Sequence, residues 1–261
     1  MFSERAFFSF VDLEPGSDHR AYNEWHQLDH LPENLALPGV AWGDRWARTA
    51  ECADVAGADG AAREYAGVDY IAMYWFHPPY TESVREWKEL GEESFQWGRG
   101  PGIPGVHRRL TAFFTPVKGY VAPHVPVSAA TLPLRPNSGL HLRVSRFRDH
   151  HGYGAHEHHT WQDRVRIPDL MAVDGVAGAW TFSFREGAHH PTLAFDDSEE
   201  YAPGELRVRL LYLDGDPVET GKAIAEHEAQ CDADGRGRPS AAVEECLLSS
   251  PLRSITPWRD W

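Results

Sequence analysis

Apolar and polar positions change period along the chain, and each change predicts an element. Residues 6–12 (AFFSFVD) form an apolar run rich in phenylalanine, closed by the turn-like EPGSD, and predict a strand. Ser17 or Asp18 then stands where a helix N-cap belongs. Over residues 22–40 (YNEWHQLDHLPENLALPGV), a wheel of about 100° per residue puts Trp25, Leu28, Leu31, Pro32 and Leu35 on one side, as in an amphipathic helix, and Pro38-Gly39 ends it. A strand is expected over residues 40–48, then a polar, alanine-rich loop over residues 49–64. Residues 69–76 (DYIAMYWF) read as a strand apolar on both faces, residues 80–93 as a second helix, and GRGPGIPG as a loop leading to a short strand near residues 110–115. The order β-α-β-β-α-β is that of a ferredoxin-like unit.

The pattern then returns. PENLALPGV at residues 32–40 matches PDLMAVDGV at residues 168–176, a shift of 136 that also takes Trp25 to Trp161 and Gly39 to Gly175. A shift of 137 takes the GRG of residues 98–100 onto that of residues 235–237, and Thr115-Pro116 reappears as Thr256-Pro257. Anchors in one order at nearly one spacing mark an internal repeat. The expected organisation is two ferredoxin-like units, residues 1–122 and 138–261, joined by a connector over residues 123–137 too broken by proline for a regular element. A ferredoxin-like sheet has helices on one face only, and strands apolar on both faces need a second cover. Two units packed sheet on sheet supply it, so the expected class is α+β, an intramolecular barrel made as a pseudo-dimer.

Charge narrows the partners. Lys+Arg 25 against Asp+Glu 39 gives a net charge of −14 over 261 residues, with no basic block, which argues against nucleic acid or an anionic membrane as partner. No apolar run reaches membrane-spanning length. The N-terminal MFSERAFFSFVDL shows no basic, apolar and small-residue succession of a leader, and Cys52, Cys231 and Cys246 are odd in number and far apart. A cytoplasmic protein with a small-molecule ligand is expected, with further assembly into a homo-oligomer left open. The 15 histidines and 10 tryptophans are the compositional excesses.

Trp25, His30, Leu31, Pro32, Pro38 and Gly39 make a W-x-x-x-x-H-L-P…L-P-G pattern that resembles the EthD-like group of the dimeric α+β barrel superfamily. The resemblance covers most of the chain at the level of fold. It implies one of several functions, since that superfamily includes polyketide cyclases, muconolactone isomerase-like enzymes, cofactor-free monooxygenases, haem-handling proteins and members without known activity. It also gives His30 weight as the histidine of an H-x-P motif.

On an unbroken α-helix His19, His26 and His30 fall within about 40° of one another, roughly opposite Trp25 and Leu28. His26 and His30 are i,i+4, close enough to share an ion or a proton, while His19 lies about 10 Å further along the axis. Imidazole titrates near neutrality and suits proton transfer. Such a stripe also fits a solvated face, but Pro32 breaks the helical ladder, and a kink there would turn His30 toward a cleft. Asp29 and Glu33 point to the same side and could fix an imidazole tautomer. The repeat replaces His26 by Gln162 and His30 by Arg166, so any chemistry should be confined to the first copy. His150, His151, His156, His158 and His159 form a denser but loosely spaced group, read as a solvated helix entrance rather than a dedicated metal site.

The strands of the second copy alternate cleanly. Leu142 and Val144 oppose Arg143 and Ser145; Leu206, Val208 and Leu210 oppose Arg207 and Arg209. With the leucines and valines assigned to the helix side, the arginines are expected between the two sheets. There they would face Phe7, Ser9, Tyr70 and Ala72 of the first copy and hold an anionic ligand, unless carboxylates already pair with them.

The reading is a small-molecule enzyme without an organic cofactor. It would perform acid-base chemistry (cyclisation, isomerisation or dehydration, of isomerase or lyase type) on a hydrophobic, anionic or phenolic substrate. His30 is the expected acid-base, His26, Asp29 and Tyr22 assist, and Arg143, Arg207, Arg209 and Tyr70 bind substrate; no metal ligands are assigned. The alternatives are a non-catalytic ligand-binding or stress-type barrel, and a metal or haem protein using the histidine clusters.

Overall fold

The computed structural model describes residues 4–55, 65–100, 102–188, 201–240 and 242–258. Its elements run β1 (Ala6–Leu13), α1 (His19–Trp25), a π-helical turn (His26–His30), α2 (Leu31–Leu35), β2 (Val40–Ala47), α3 (Ala50–Asp54), β3 (Tyr70–Phe76), α4 (Tyr80–Gln96) and β4 (Val106–Val121). After a 3-10 turn (Leu132–Leu134) come β5 (Gly139–Arg146), α5 (Tyr153–Trp161), a second π-helical turn (Gln162–Arg166), α6 (Ile167–Leu170), β6 (Val176–Gly187), β7 (Leu206–Leu213), α7 (Pro217–Ala233) and β8 (Glu245–Ser254). The strands close a barrel in the order β1-β3-β2-β8-β5-β7-β6-β4, with every neighbouring pair antiparallel. Each half contributes four strands in the order fourth-first-third-second, the arrangement of a ferredoxin-like unit. Part of the expected loop over residues 49–64 lies outside the described residues; its beginning is the short helix α3, capped by Thr49.

Local chemistry accounts for most boundaries. Asp18 caps α1 by accepting from the Ala21 amide, and Asp216 caps α7 by accepting from Val218 and Glu219. β4 is far longer than the strand expected near residues 110–115. Its start pairs with β1 and its end with β6, and Pro116 sits beside a bulge where the ladder has no need of its missing N–H. Strand β2 closes the opposite seam against β8 at Trp46–Ser254 and Ala47–Arg253, helped by hydrogen bonds from Trp46 and Ser254 to Asn137.

Alternation along the strands fills the barrel. Phe8, Phe10, Met73, Trp75 and Phe114 of the first half meet Leu142, Val144, Phe182, Val208, Leu210 and Leu248 of the second in one buried cluster. Phe8 stands edge-on to both Phe114 and Phe182, at 5.2 and 5.0 Å between centroids, so aromatic contacts stitch the halves together. This corrects the expected placement of the arginines. The leucines and valines of β5 and β7 face the lumen, and Arg143, Arg207 and Arg209 lie on the outer face beneath the helices. A closed lumen gives an ion no path to water. The space between sheet and helices opens at its edges and brings carboxylates from α7 and the loop before β8.

The two halves share more than strand order. The ladder shifts by one residue opposite Phe10 and Val11 of β1, where Arg109 of β4 is the extra residue, and opposite Val144 and Ser145 of β5, where Leu247 of β8 is. This register puts Arg143 in the place of Ser9, where the repeat shift paired it with Phe7. A π-helical turn precedes a proline in each half, Pro32 and Pro168. Without an N–H, the proline leaves the preceding turn short of an i→i−4 bond, and the amides of Leu31 and Ile167 reach back five residues to His26 and Gln162.

Candidate functional site

The widened turn decides which way the first helix faces. An α-helix drifts by about 40° for each i+4 step, and the π-helical turn takes that drift back, so Tyr22, His26 and His30 remain on one side. That side is the sheet side. Tyr22 and His26 are 2% and 4% exposed, whereas Leu28, expected in the apolar face, is 44% exposed. The histidine stripe is therefore not a solvated face, although His19 at its start is exposed and donates to or accepts from the Tyr70 hydroxyl at 2.9 Å. Trp25 fixes the outer imidazole: its ring stacks on His30 at 4.7 Å, and its indole N–H donates to the Arg99 carbonyl at 2.8 Å.

Beneath this helix lies Arg45 of β2. It is completely buried, and among the described residues none of its three guanidinium nitrogens has a partner at full hydrogen-bond geometry, although the Tyr22 side chain is near enough to favour its charged form. Its charge is met by rings. The guanidinium carbon lies 4.2 Å from the Tyr70 centroid and 4.6 Å from that of Tyr22. Burial lowers its pKa, and Tyr22, Tyr70 and Tyr74 favour the charged form. Arg108 of β4, half-buried, adds a second cation whose pKa burial also lowers, with only Tyr22 opposing the shift. The Tyr74 hydroxyl and Nδ1 of His26 are buried without partners as well. Gly43 makes room for the Tyr74 ring, since a Cβ there would sit 2.4 Å from a ring carbon.

These groups set the protonation of the histidines. Burial drives the pKa of His26 well below the ordinary imidazole value, and Arg45, His30 and Arg108 depress it further. Burial and then Arg108 push that of His30 down to about 4, with Asp29 the opposing influence. At neutral pH both are neutral bases beside two cations. The ring centroids of His26 and His30 are 5.1 Å apart. Asp29 does not orient either imidazole as expected. Its carboxylate accepts from Arg99 in the loop after α4, and the same guanidinium donates to Glu33 at 2.7 Å.

The second half also carries arginines on this face, and carboxylates meet Arg143, Arg166 and Arg209 there. Arg143 donates to Glu244 at 2.9 Å, Ser145 donates to the same carboxylate, and His158 stands 3.4 Å from its other oxygen. Arg209 donates to Glu228 at 3.2 Å and Arg166 to Asp232 at 2.7 Å. The three arginines and their carboxylates Glu228, Asp232 and Glu244, together with Trp161, Gln162 and Arg238, line a cavity of about 50 Å³. The arginines hold Glu228 and Glu244 at pKa values of about 2 despite their burial. Register shows what differs. Arg45 pairs with Ala72 across β2 and β3, whereas Thr181 pairs with Arg209 across β6 and β7. The places of Glu228 and Glu244 are taken in the first half by Gly91 and Val106. Arg207 pairs with Ser145 in the ladder and leaves its Nε without a partner.

The structure brings Tyr22, His26 and His30 together, and Tyr70, expected between the two sheets opposite the arginines, lies instead under the first helix against Tyr22 and Arg45. The sequence reading missed Arg45, Arg108 and Tyr74, and it grouped Arg143, Arg207 and Arg209 with a site they do not reach. The signal for Arg45 was available: a cation in WGDRWA, within a strand otherwise rich in aromatics. The histidines of residues 150–159 do not converge. His158 belongs to the Glu244 network, His159 packs on Phe147, and His150 lies tilted against His151.

No protein-family model matches the sequence, and no curated protein matches it. Solved structures do match in shape. A dye-decolorizing peroxidase from Bacteroides thetaiotaomicron superposes with a TM-score of 0.53 at 9% identity, over 97% of this chain and 94% of that one. A candidate monooxygenase from Fusobacterium nucleatum gives 0.52 at 8% identity, over 98% and 94%. The likeness shows the fold alone, a closed eight-stranded antiparallel barrel in an α+β chain. An anthrone oxidase-like protein lies further off, with a TM-score of 0.45 at 8% identity over 97% and 91% of the two chains. At such identities the likeness concerns the barrel alone; the chemistry in those names belongs to those proteins. Among the described residues no helix is long and apolar enough to cross a membrane.

Proposed function

We propose that the chain is an EthD-like α+β barrel of two fused ferredoxin-like units, residues 1–122 and 138–261, whose first half binds a flat, hydrophobic anion and moves a proton on it. The observation that carries this reading is Arg45, a fully buried guanidinium that has no carboxylate partner among the described residues and is surrounded by tyrosines. Taking an ion out of water costs several kcal/mol, and a buried charge is ordinarily paired. Desolvated cation–π contacts return about 2 kcal/mol each, part of that cost. A carboxylate, phenolate or enolate oxygen on a ligand completes the site, and Tyr22, Tyr70 and Trp25 provide the aromatic walls.

Cyclisation, isomerisation and dehydration share a first step in which a proton leaves a carbon next to a carbonyl. A neutral imidazole can take that proton, and a guanidinium can hold the developing oxyanion. His30 is assigned the base because it retains solvent access through which a proton can leave; His26, fully buried, polarises it from below. Arg45 and Arg108 hold the oxyanion, and Tyr22 donates to it. Proton chemistry of this kind asks for no organic cofactor. Arg143 and Arg209 are then structural, consumed by Glu244 and Glu228.

Matched pairs of probes test the binding step. 2-Naphthoate is expected to raise the melting temperature of the wild-type protein, and 2-naphthamide, of the same shape but neutral, is not. Equal shifts from both would remove the anion from the reading. One observation favours a non-catalytic binding protein instead: Asp29, the expected partner of the imidazoles, is engaged by Arg99. Exchange of an α-proton of a bound ketone for deuterium, lost in His30→Gln, separates the enzyme from the carrier.

A further inference from the structure

We propose that Asp169, His227 and Cys231 of the second half bind a divalent transition-metal ion, with zinc the best match to the donor set. His227 and Cys231 lie one turn apart on α7, and Asp169 faces them from α6; their three ligating atoms all fall within 4.8 Å of one another. Sγ of Cys231 is 3.5 Å from Nε2 of His227 and 3.6 Å from Oδ2 of Asp169. Zinc–sulfur and zinc–nitrogen bonds at a tetrahedral angle separate their donor atoms by roughly 3.6 Å, so the thiol already stands at ligand spacing from both partners. Asp169 is also held by Arg236, which donates to Oδ2 at 2.5 Å. A metal-ligating carboxylate commonly has such an outer partner, and the second lone pair remains available.

The comparison between halves isolates the feature. The first half builds the same contact from Ser94, which donates to Glu33 at 2.7 Å, with Arg99 donating to the same oxygen at 2.7 Å. Ser94, Glu33 and Arg99 occupy the places of Cys231, Asp169 and Arg236, and Leu90 occupies that of His227. The carboxylate–arginine clamp between the short helix and the long one is therefore common architecture. The second half exchanges a hydroxyl for a thiol and a leucine for an imidazole, both in the direction of a soft ligand set. The burial of Cys231 and its contact with Asp169 hold the thiol protonated without metal. Metal binding releases that proton, so affinity falls as the pH is lowered. Three protein ligands leave a fourth position, and the partial exposure of Asp169 lets water fill it.

Titration of metal-free protein with cobalt(II) tests this directly, since a thiolate ligand gives cobalt an intense near-ultraviolet charge-transfer band and tetrahedral geometry gives strong visible bands. The wild-type protein is expected to show both at a single equivalent and to retain zinc through dialysis. Cys231→Ser and His227→Leu install the residues that the first half uses at these places, so both variants should fold, which circular dichroism checks. Both are expected to lose the charge-transfer band and the retained zinc. Absence of the band in the wild type overturns the proposal. So does a band that survives both substitutions, which would move the site to Cys52 or Cys246.

Discussion

The guanidinium of Arg45 rests 4.2 Å above the ring of Tyr70, and that ring, not a carboxylate, is its nearest compensation. The rest of the first-half site follows from this relationship: two imidazoles held neutral, a phenol without a partner, and a second arginine close by.

Replacing Arg45 by methionine removes an unpaired buried charge and keeps the volume. The lost cation–π contacts cost about 2 kcal/mol each, while the relieved desolvation is several kcal/mol and the unmet hydrogen bonds add about 1–3 kcal/mol more. Arg45→Met is therefore expected to raise the unfolding free energy by on the order of 1 kcal/mol or more, read by urea denaturation. A clear loss of stability would make Arg45 a structural residue.

The second half predicts the opposite response. Glu244 is a buried carboxylate shared by Arg143, Ser145 and His158. Glu244→Gln leaves Arg143 buried without its counter-ion and is expected to cost about 3–5 kcal/mol, while leaving anion binding in the first half intact. A variant as stable as the wild type would show that the network contributes nothing to the fold.

Acid should destabilise the protein through His30. Its folded pKa of about 4 lies below the ordinary imidazole value of 6.5, so the unfolded chain binds more protons between these values. Stability is full above pH 6.5 and falls as the pH drops toward about 4, below which this contribution levels off. His30→Gln should flatten that part of the stability profile. An unchanged slope would mean that His30 titrates normally.

Ligand binding couples to the same histidines. An anion beside Arg45 and Arg108 relieves the repulsion on His26 and His30 and raises their pKa values, so binding takes up protons. 2-Naphthalenesulfonate, ionised throughout, should bind more tightly at pH 5.5 than at pH 8. In a His26→Gln, His30→Gln double variant the two affinities should agree; a pH dependence that persists there would assign the linkage to other groups.

The α+β class and the closed barrel were readable in the sequence, for definite reasons. Pro32, Gly39 and Trp25 and their copies Pro168, Gly175 and Trp161 predicted two units of one topology, because turns and caps depend on local residue types. The inward face of the helix was not readable. The wheel assumed an unbroken α-helix, and the π-helical turn before Pro32 reverses which residues meet the sheet, burying His26 and exposing Leu28. Arg143 and Arg209 were assigned to the wrong face because alternation fixes which residues share a face and says nothing of which face is dry. The Asp169, His227 and Cys231 set escaped because its third member comes from another helix, although the i,i+4 pair on α7 was visible.

The most direct test of the account is calorimetric titration of 2-naphthoate into the wild-type protein, Arg45→Met and Glu228→Gln. The account predicts binding to the wild type and to Glu228→Gln, and none to Arg45→Met. Binding that survives Arg45→Met, or that is lost only in Glu228→Gln, would contradict it.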